Sequence, residues 1–309
     1  MSTIAVDAMG GDSAPEEVVK GAILAKKEGV DVILSGDENL IKSYLGNEKI
    51  PVINYPQVIS MDDDPAKAIR SNKDSSIIGA LNLVKEKKAD AVFSAGSTGA
   101  TLIGAISVLG KIKGVTRPTI ASVLPGKEKE VILVDSGANL EVKPKVLYQF
   151  AIMGSKLSEL LFDIENPRIG LINNGEESSK GRELEKATFK LLKSSQLNFI
   201  GNVEGKDFAN SKVDVFVTDG FTGNVVLKTL QGVAKLQQDL ISKSLKENLF
   251  KPLLIPVKNA ISPVKSMLNP NSTNGSYLLG VNGLVIIGHG SSNSEAIKNA
   301  LLFTSRAVE

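Results

Sequence analysis

The chain of 309 residues has no cysteine, no tryptophan and a single histidine, His289. Without thiols there is no thiolate nucleophile, no disulfide and no cysteine-based zinc site, and a Ser-His-Asp triad would have to be built on His289. Aromatic residues make up only 5%. The core therefore rests on Val, Ile, Leu and Ala, which suits a buried parallel sheet covered by helices better than an aromatic-rich sandwich. An excess of one charge is missing too: 36 Lys and Arg stand against 34 Asp and Glu, a net +2. Nothing in that balance calls for nucleic acid. No stretch of about 18 apolar residues occurs, so no membrane-spanning helix is expected. The opening Met1-Ser-Thr-Ile-Ala-Val-Asp lacks the basic and apolar regions of a secretory signal, and the expected location is the cytoplasm. Neither G-x-x-x-x-G-K-[ST] nor a G-x-G-x-x-G after the first strand is found, which argues against a P-loop NTPase and a standard dinucleotide-binding domain.

What is present is a repeated event. A short apolar run ends in Gly with Ser, Thr, Asn or Asp, and a helical pattern follows. It occurs at Ile4–Ala8, Ala91–Ser94, Val131–Asp135, Arg168–Asn173, Val213–Asp219 and Leu284–Ile287. Strands alternating with helices at this spacing predict βα units and a mostly parallel sheet, an α/β fold. Six turns leaving the carboxyl ends of strands are expected to share one edge of the sheet, where ligands bind in open α/β folds. Helices are expected at Pro15–Lys27, Ser75–Lys88, Leu184–Leu192 and about 223–248, each with apolar residues at helical spacing or acids in its first turn. No linker or low-complexity stretch divides the chain, so 1–309 reads as a single domain.

The Gly-rich turns suit anions, because helix N-termini offer unpaired N–H groups and a favourable dipole. Ser94-Ala-Gly-Ser-Thr-Gly99 fits best, with Gly96 and Gly99 allowing close backbone approach and Thr98 adding a hydroxyl; Val at 99 is expected to obstruct an anion with little loss of fold. Asp219-Gly-Phe-Thr-Gly-Asn224 is a second such turn, offering Gly220, Thr222, Gly223 and an amide. Taken singly, either could be plain capping. Together they favour a phosphate or carboxylate site. Asp62-Asp-Asp-Pro65 reads as a helix cap with Pro in the first turn rather than a cation site. His289, between two glycines, is open to a ligand-facing role. Lys180 precedes a helix on the expected active edge, where it can pair with an anion.

Several of these segments carry a family resemblance. Val6-Asp-Ala-Met-Gly-Gly-Asp12, Ile59-Ser-Met-Asp-Asp63, Ser94-Ala-Gly-Ser-Thr-Gly-Ala100, Phe199-Ile-Gly-Asn-Val-Glu-Gly205, Val217-Thr-Asp-Gly-Phe-Thr-Gly-Asn-Val-Val-Leu-Lys228 and Leu279-Gly-Val-Asn-Gly283 resemble the PlsX-type phosphate acyltransferases nearly end to end. The resemblance implies a three-layer α/β/α fold like that of phosphotransacetylases and isopropylmalate dehydrogenases, assembled as a homodimer. It implies transfer of a fatty acyl group from acyl carrier protein to inorganic phosphate, with acyl phosphate as product and no cofactor or metal. By motif position it implies Lys180 and Asn224 as catalytic groups. It places the substrate among Gly10, Gly11, Asp12, Ser94, Gly96, Thr98, Gly99, Asp135, Asn139, Asp219, Gly220, Thr222, Gly223 and His289. A membrane glycerol-3-phosphate acyltransferase that uses acyl phosphate is an implied partner. The chain departs from the family pattern at Ser13, Ser97 and Ser136, while the glycine framework is kept. The rival readings are a phosphotransacetylase using acyl-CoA, a nicotinamide-dependent dehydrogenase of related fold, and a non-catalytic module that binds carrier protein.

Residues 248–294 contain no Asp or Glu. Within them, about 249–270 combines bulky apolar residues with Lys251, Lys258 and Lys265 at seven-residue spacing, and is interrupted by Pro252, Pro256 and Pro263. Two short amphipathic pieces projecting from the domain are expected. Such a surface suits an acidic carrier protein, a dimer partner or an anionic membrane, with Leu253, Leu254, Ile255 and Val257 as inserting residues.

Overall fold

The structure is a computed structural model that describes residues 2–210, 212–248 and 275–308. Among these, all strands join one sheet of eleven. In chain order the elements are β1 (Thr3–Asp7), α1 (Glu16–Lys27), β2 (Asp31–Gly36), α2 (Glu38–Leu45), β3 (Val52–Asn54), α3 (Pro65–Ser71), α4 (Ser76–Lys85), β4 (Ala91–Ser94), α5 (Thr98–Val108), β5 (Thr119–Leu124) and β6 (Val131–Val134). Then follow α6 (Pro144–Phe162), β7 (Ile169–Ile172), α7 (Glu183–Lys193), β8 (Phe199–Val203), a 3-10 turn (Gly205–Ala209), β9 (Val215–Val217), α8 (Gly220–Asn248), β10 (Ser276–Leu279), β11 (Leu284–Ile287) and α9 (Ser294–Val308). The expected α/β fold and all four expected helices are found, with ends shifted by a few residues. Pro15 stands at the N-cap of α1, just before the first turn. Asp64 caps α3 by accepting from the Lys67 amide at 2.8 Å, with Pro65 next in line, so this acidic run is the helix cap its sequence predicts.

The strand order is β3-β2-β1-β4-β11-β10-β5-β6-β9-β7-β8. Strands β3, β2, β1, β4 and β11 are parallel to one another, and so are β6, β9, β7 and β8. Between the two groups β10 runs antiparallel to β11 and to β5, and β5 antiparallel to β6. Three successive reversals turn the second group against the first. The six Gly-rich turns therefore do not share an edge, as the sequence rhythm suggested. Those after β1, β4 and β11 lie at one end of the strands, and those after β6, β7 and β9 at the other. Four-residue strands are only about 13 Å long, so both sets can still reach one space at the sheet centre.

On one face a single apolar cluster runs across both halves, from Ile4, Val6 and Leu34 through Tyr277 and Ala121 to Val134 and Val217, beneath α1, α6 and α9. On the other face there are two clusters. Ile69, Ile78 and Leu81 pack with Ile120, Leu278 and Val285 under α3, α4 and α5. Leu124, Leu133, Phe208 and Phe216 pack with Val226 and Leu227 of α8. Between them the register sets Ile287, Ser276, Ser122 and Leu133 side by side. Two serines in that row keep the apolar clusters from joining, and a cleft stays open above them.

Candidate active site

Each set of turns is built around a buried carboxylate. In the first, Asp7 and Ser94 end β1 and β4, and the Ser94 hydroxyl donates to Asp7 Oδ2 at 2.6 Å. Burial pushes the Asp7 carboxyl above the usual range, against hydrogen bonds from Ser76 and Ser94. Gly10 and Gly96 lie back to back: a Cβ on Gly10 would meet the Gly96 nitrogen at 2.8 Å. The Asp12 amide donates to the Gly290 carbonyl at 2.8 Å, which joins the turn of Gly11 and Asp12 to the turn of His289. Ser97 caps α5 and leaves Thr98 exposed at its start. Gly99 faces elsewhere. A Cβ there would stand 2.7 Å from Pro65 Cγ, so Val at 99 would wedge α3 from α5 rather than bar an anion, contrary to the sequence expectation.

In the second set Asp135 is wholly buried. Its Oδ1 accepts from the amides of Gly137 at 3.0 Å and Ala138 at 2.9 Å, and its Oδ2 from the amide and side chain of Asn139 at 2.8 and 2.9 Å. Burial pushes this carboxyl up as well, with those donors opposing. Asn139 also donates to the Pro118 carbonyl at 2.8 Å and accepts the Gly220 amide on its own carbonyl at 2.7 Å. Gly223 presses on the Asp135 carbonyl so closely that a Cβ would come within 1.8 Å of the oxygen. Asp219 caps α8 by accepting from the Thr222 amide at 2.7 Å, and its other oxygen pairs with Arg182, which also engages Glu185 of α7. These contacts set the first turn of α8 against the β6 turn. Asn224 then stands beside Gly137, whose φ of +143° favours glycine and whose missing Cβ would lie 3.6 Å from the Asn224 side chain.

Both sets meet in a cavity of about 640 Å³ over the serine row. Thr98, His289 and Ser292 reach it from the first set, and Ser136, Gly137 and Asn224 from the second. On its floor Ser122 donates to Ser136 at 2.8 Å, and Ser136 to the Ile120 carbonyl at 3.2 Å. A carbonyl only accepts, so the direction of the chain is fixed, and Ser276 donates to Ser122 at 2.8 Å. The described lining holds Lys206, Lys228 and His289 and no Asp or Glu. Desolvation, then the Lys228 charge, push the His289 imidazole below its ordinary value, and Asp12 opposes them. Much of the remaining wall is apolar, with Leu124, Phe208, Leu227, Leu230 and Val233, and Gln231 and Gln237 stand among them. Phe208 is itself stacked on Phe216, with ring centroids 3.8 Å apart.

Of the residues chosen from sequence, Thr98, Asn224 and His289 line this cavity. Gly10, Gly11, Asp12, Ser94, Gly96, Gly99, Asp135, Asn139, Asp219, Gly220, Thr222 and Gly223 belong to the turns that hold it. Lys180 does not line it. The residue is exposed on the β7–α7 loop, two positions before Arg182, and its carbonyl accepts from Asn173 at 3.1 Å. Lys251, Leu253, Leu254, Ile255, Val257, Lys258 and Lys265 lie outside the described residues. Sequence reasoning missed Ser122, Ser276, Lys206 and Lys228. The available signal was a hydroxyl breaking an otherwise apolar strand, as in Thr119-Ile-Ala-Ser-Val-Leu124.

Residues 2–309 match the family model described as fatty acid synthesis protein. Curated relatives named phosphate acyltransferase include one from Halothermothrix orenii, 43% identical over 99% of this chain and 94% of its own length. Another, from Clostridium botulinum, is 46% identical over 96% of this chain and 91% of its own length. The chain belongs to the phosphate acyltransferase family. The chain is accordingly an acyltransferase, and its cavity holds cationic, hydroxyl and apolar side chains together. Solved structures with the same fold include the EutD phosphotransacetylase from Staphylococcus aureus, with a TM-score of 0.64 at 17% identity over 100% of this chain and 94% of that one. A 4-hydroxythreonine-4-phosphate dehydrogenase from Klebsiella pneumoniae follows, with a TM-score of 0.59 at 13% identity over 100% of both chains. The phosphotransacetylase and dehydrogenase-like fold is the one expected from sequence. Among the described residues no helix is long and apolar enough to cross a membrane.

Proposed function

We propose that this acyltransferase moves a long-chain fatty acyl group from acyl carrier protein to inorganic phosphate, giving acyl phosphate for phospholipid synthesis. One observation carries the reading: a single cavity gathers helix N-termini, hydroxyls and Lys228, with no carboxylate among its described lining, and continues along a largely apolar wall. An anion is welcome at the first part and a hydrocarbon at the second.

The reaction asks little of a base. A phosphate oxygen is already an anionic nucleophile, and a thioester is an activated acyl donor. Attack forms the O–C bond and a tetrahedral oxyanion; collapse breaks the C–S bond, and the sulfur leaves as thiolate and takes a proton from water. Catalysis then consists of holding phosphate near the carbonyl and stabilising the oxyanion. Thr98 and the start of α5 hold the phosphate, with Lys228 countering its charge. Asn224 donates to the carbonyl oxygen as it gains charge. Lys180 enters the proposal as a second cation by its motif position alone: it stands outside the cavity lining, on the loop that the Arg182–Asp219 pair ties to the head of α8. Neutral His289, next to Ser291 at 2.8 Å, is a hydrogen-bonding group rather than a required base.

A phosphotransacetylase-like use of acyl-CoA is the second reading, favoured by the shared fold. Palmitoyl carrier protein and palmitoyl-CoA, offered separately with phosphate, decide between them. The proposal expects faster phosphate-dependent turnover of the carrier-protein thioester, and a clear preference for CoA overturns it. Self-association belongs to the same reading, supported by the exposed Phe221, Leu236 and Leu240 on α8; sedimentation showing only monomer at micromolar concentration contradicts it. Contact with anionic membranes, and hand-over to a membrane glycerol-3-phosphate acyltransferase, rest on the composition of 249–270 alone. Equal flotation of wild type and Leu254→Glu with anionic vesicles contradicts insertion at that segment.

A further inference from the structure

We propose that the stripe of α8 facing the cavity is the acyl-chain site and that Ala234 on it gauges chain length. The inference rests on the reading above and adds which residues meet the hydrocarbon. From Asn224 the cavity-facing positions of α8 continue through Leu227, Gln231 and Ala234 to Gln237. Thirteen residues of helix span about 20 Å, so the cavity follows the helix well past the carbonyl-binding amide. Opposite the helix stand Leu124 and Phe208, which share a packed cluster with Leu227. Leu230 and Val233, also in the lining, remain 37% and 46% exposed. Apolar groups left in water beside a reacting centre gain most from an apolar occupant that is covalently continuous with the group bound there. The acyl tail of the thioester is such an occupant. A polar ligand would forfeit the burial along Leu227, Leu230, Val233 and Ala234, where Gln231 and Gln237 are the polar exceptions on the stripe.

Ala234 lies ten residues beyond Asn224, or about 15 Å along the axis. It is a small residue on the lined face of a helix that is otherwise largely exposed, so a larger side chain fits the fold while filling the cavity. Ala234→Phe is expected to lower kcat/KM for a C16 thioester about tenfold or more while changing that for a C8 thioester less than about twofold, because only the longer tail loses contacts. Lys235→Phe, next in sequence and outside the lining, is the control and should leave the ratio unchanged. Fluorescence titration with cis-parinaric acid supplies a readout independent of turnover, and weaker binding is expected for Ala234→Phe alone. A wild type that binds parinarate but turns over no thioester leaves the chain site standing and removes the proposed reaction. An unchanged C16-to-C8 ratio together with unchanged parinarate affinity in Ala234→Phe overturns the chain site itself. Circular dichroism of both variants shows whether a loss is one of folding. If Ala234→Phe does not fold, Ala234→Leu takes its place, with a smaller shift of the same sign.

Discussion

Asn224 owes its position to neighbours outside the cavity lining. Asp219 caps its helix, Asn139 receives the Gly220 amide, and Gly223 lies against the Asp135 carbonyl. The amide is thus held on a rigid first turn, as stabilisation of a developing oxyanion requires, because a donor that must reorient loses much of its worth. Asn224→Ala is therefore expected to lower kcat on the order of a hundredfold while leaving the melting temperature nearly unchanged. Lys180→Ala is expected to fall by a comparable factor in phosphate-dependent turnover. Steady-state kinetics beside thermal melts checks both, and wild-type kcat in both folded variants removes the pair from the mechanism. At this scale the sequence was legible in part. The motif positions led to Asn224, Thr98 and His289, because Gly-flanked polar residues after strands are visible without a structure. Ser122 and Ser276 were not visible, since a serine within a strand gains its meaning only from the strand beside it.

Among elements, the second half of the sheet is tied together where its strands begin. Asp214, just before β9, is 2% exposed and binds Lys129 ahead of β6 and Arg168 ahead of β7. Burial pushes its carboxyl up, but the hydrogen bonds from Arg168 and Lys129 outweigh this and hold it down at about 2. A depressed carboxylate favours the native state above its unfolded pKa, and the benefit disappears as pH falls through the folded value. This clamp should contribute about 1–2 kcal/mol at pH 7, after allowance for its partly exposed basic partners, and lose it between about pH 4 and 2. Urea unfolding of Asp214→Asn against wild type at several pH values tests this. The stability gap is expected to be full at neutral pH and to close in acid; a gap that is independent of pH contradicts the assignment. None of this was apparent in the sequence, because Lys129, Arg168 and Asp214 are far apart along the chain and are joined only by the parallel order β6-β9-β7.

In the whole molecule, the hydrophobic rhythm correctly announced an α/β fold with a mostly parallel sheet but concealed its reversal. Strands β5 and β10 are buried on both faces, and each resembles any other apolar run, so nothing local marks them as antiparallel. Their insertion sends the two halves in opposite directions and places the serine row between two apolar clusters. The site is consequently a cleft at the centre of the sheet rather than a row of turns along one edge. The reaction proposed for this cleft is direct attack of phosphate on the thioester, with no acyl-enzyme between them. The most direct measurement is the release of free carrier protein from a radiolabelled palmitoyl carrier protein, with phosphate present and absent. Direct attack predicts that release requires phosphate, that acyl phosphate appears in equal amount, and that no label stays on the denatured enzyme. Release of carrier protein without phosphate, accompanied by labelled enzyme, would contradict it.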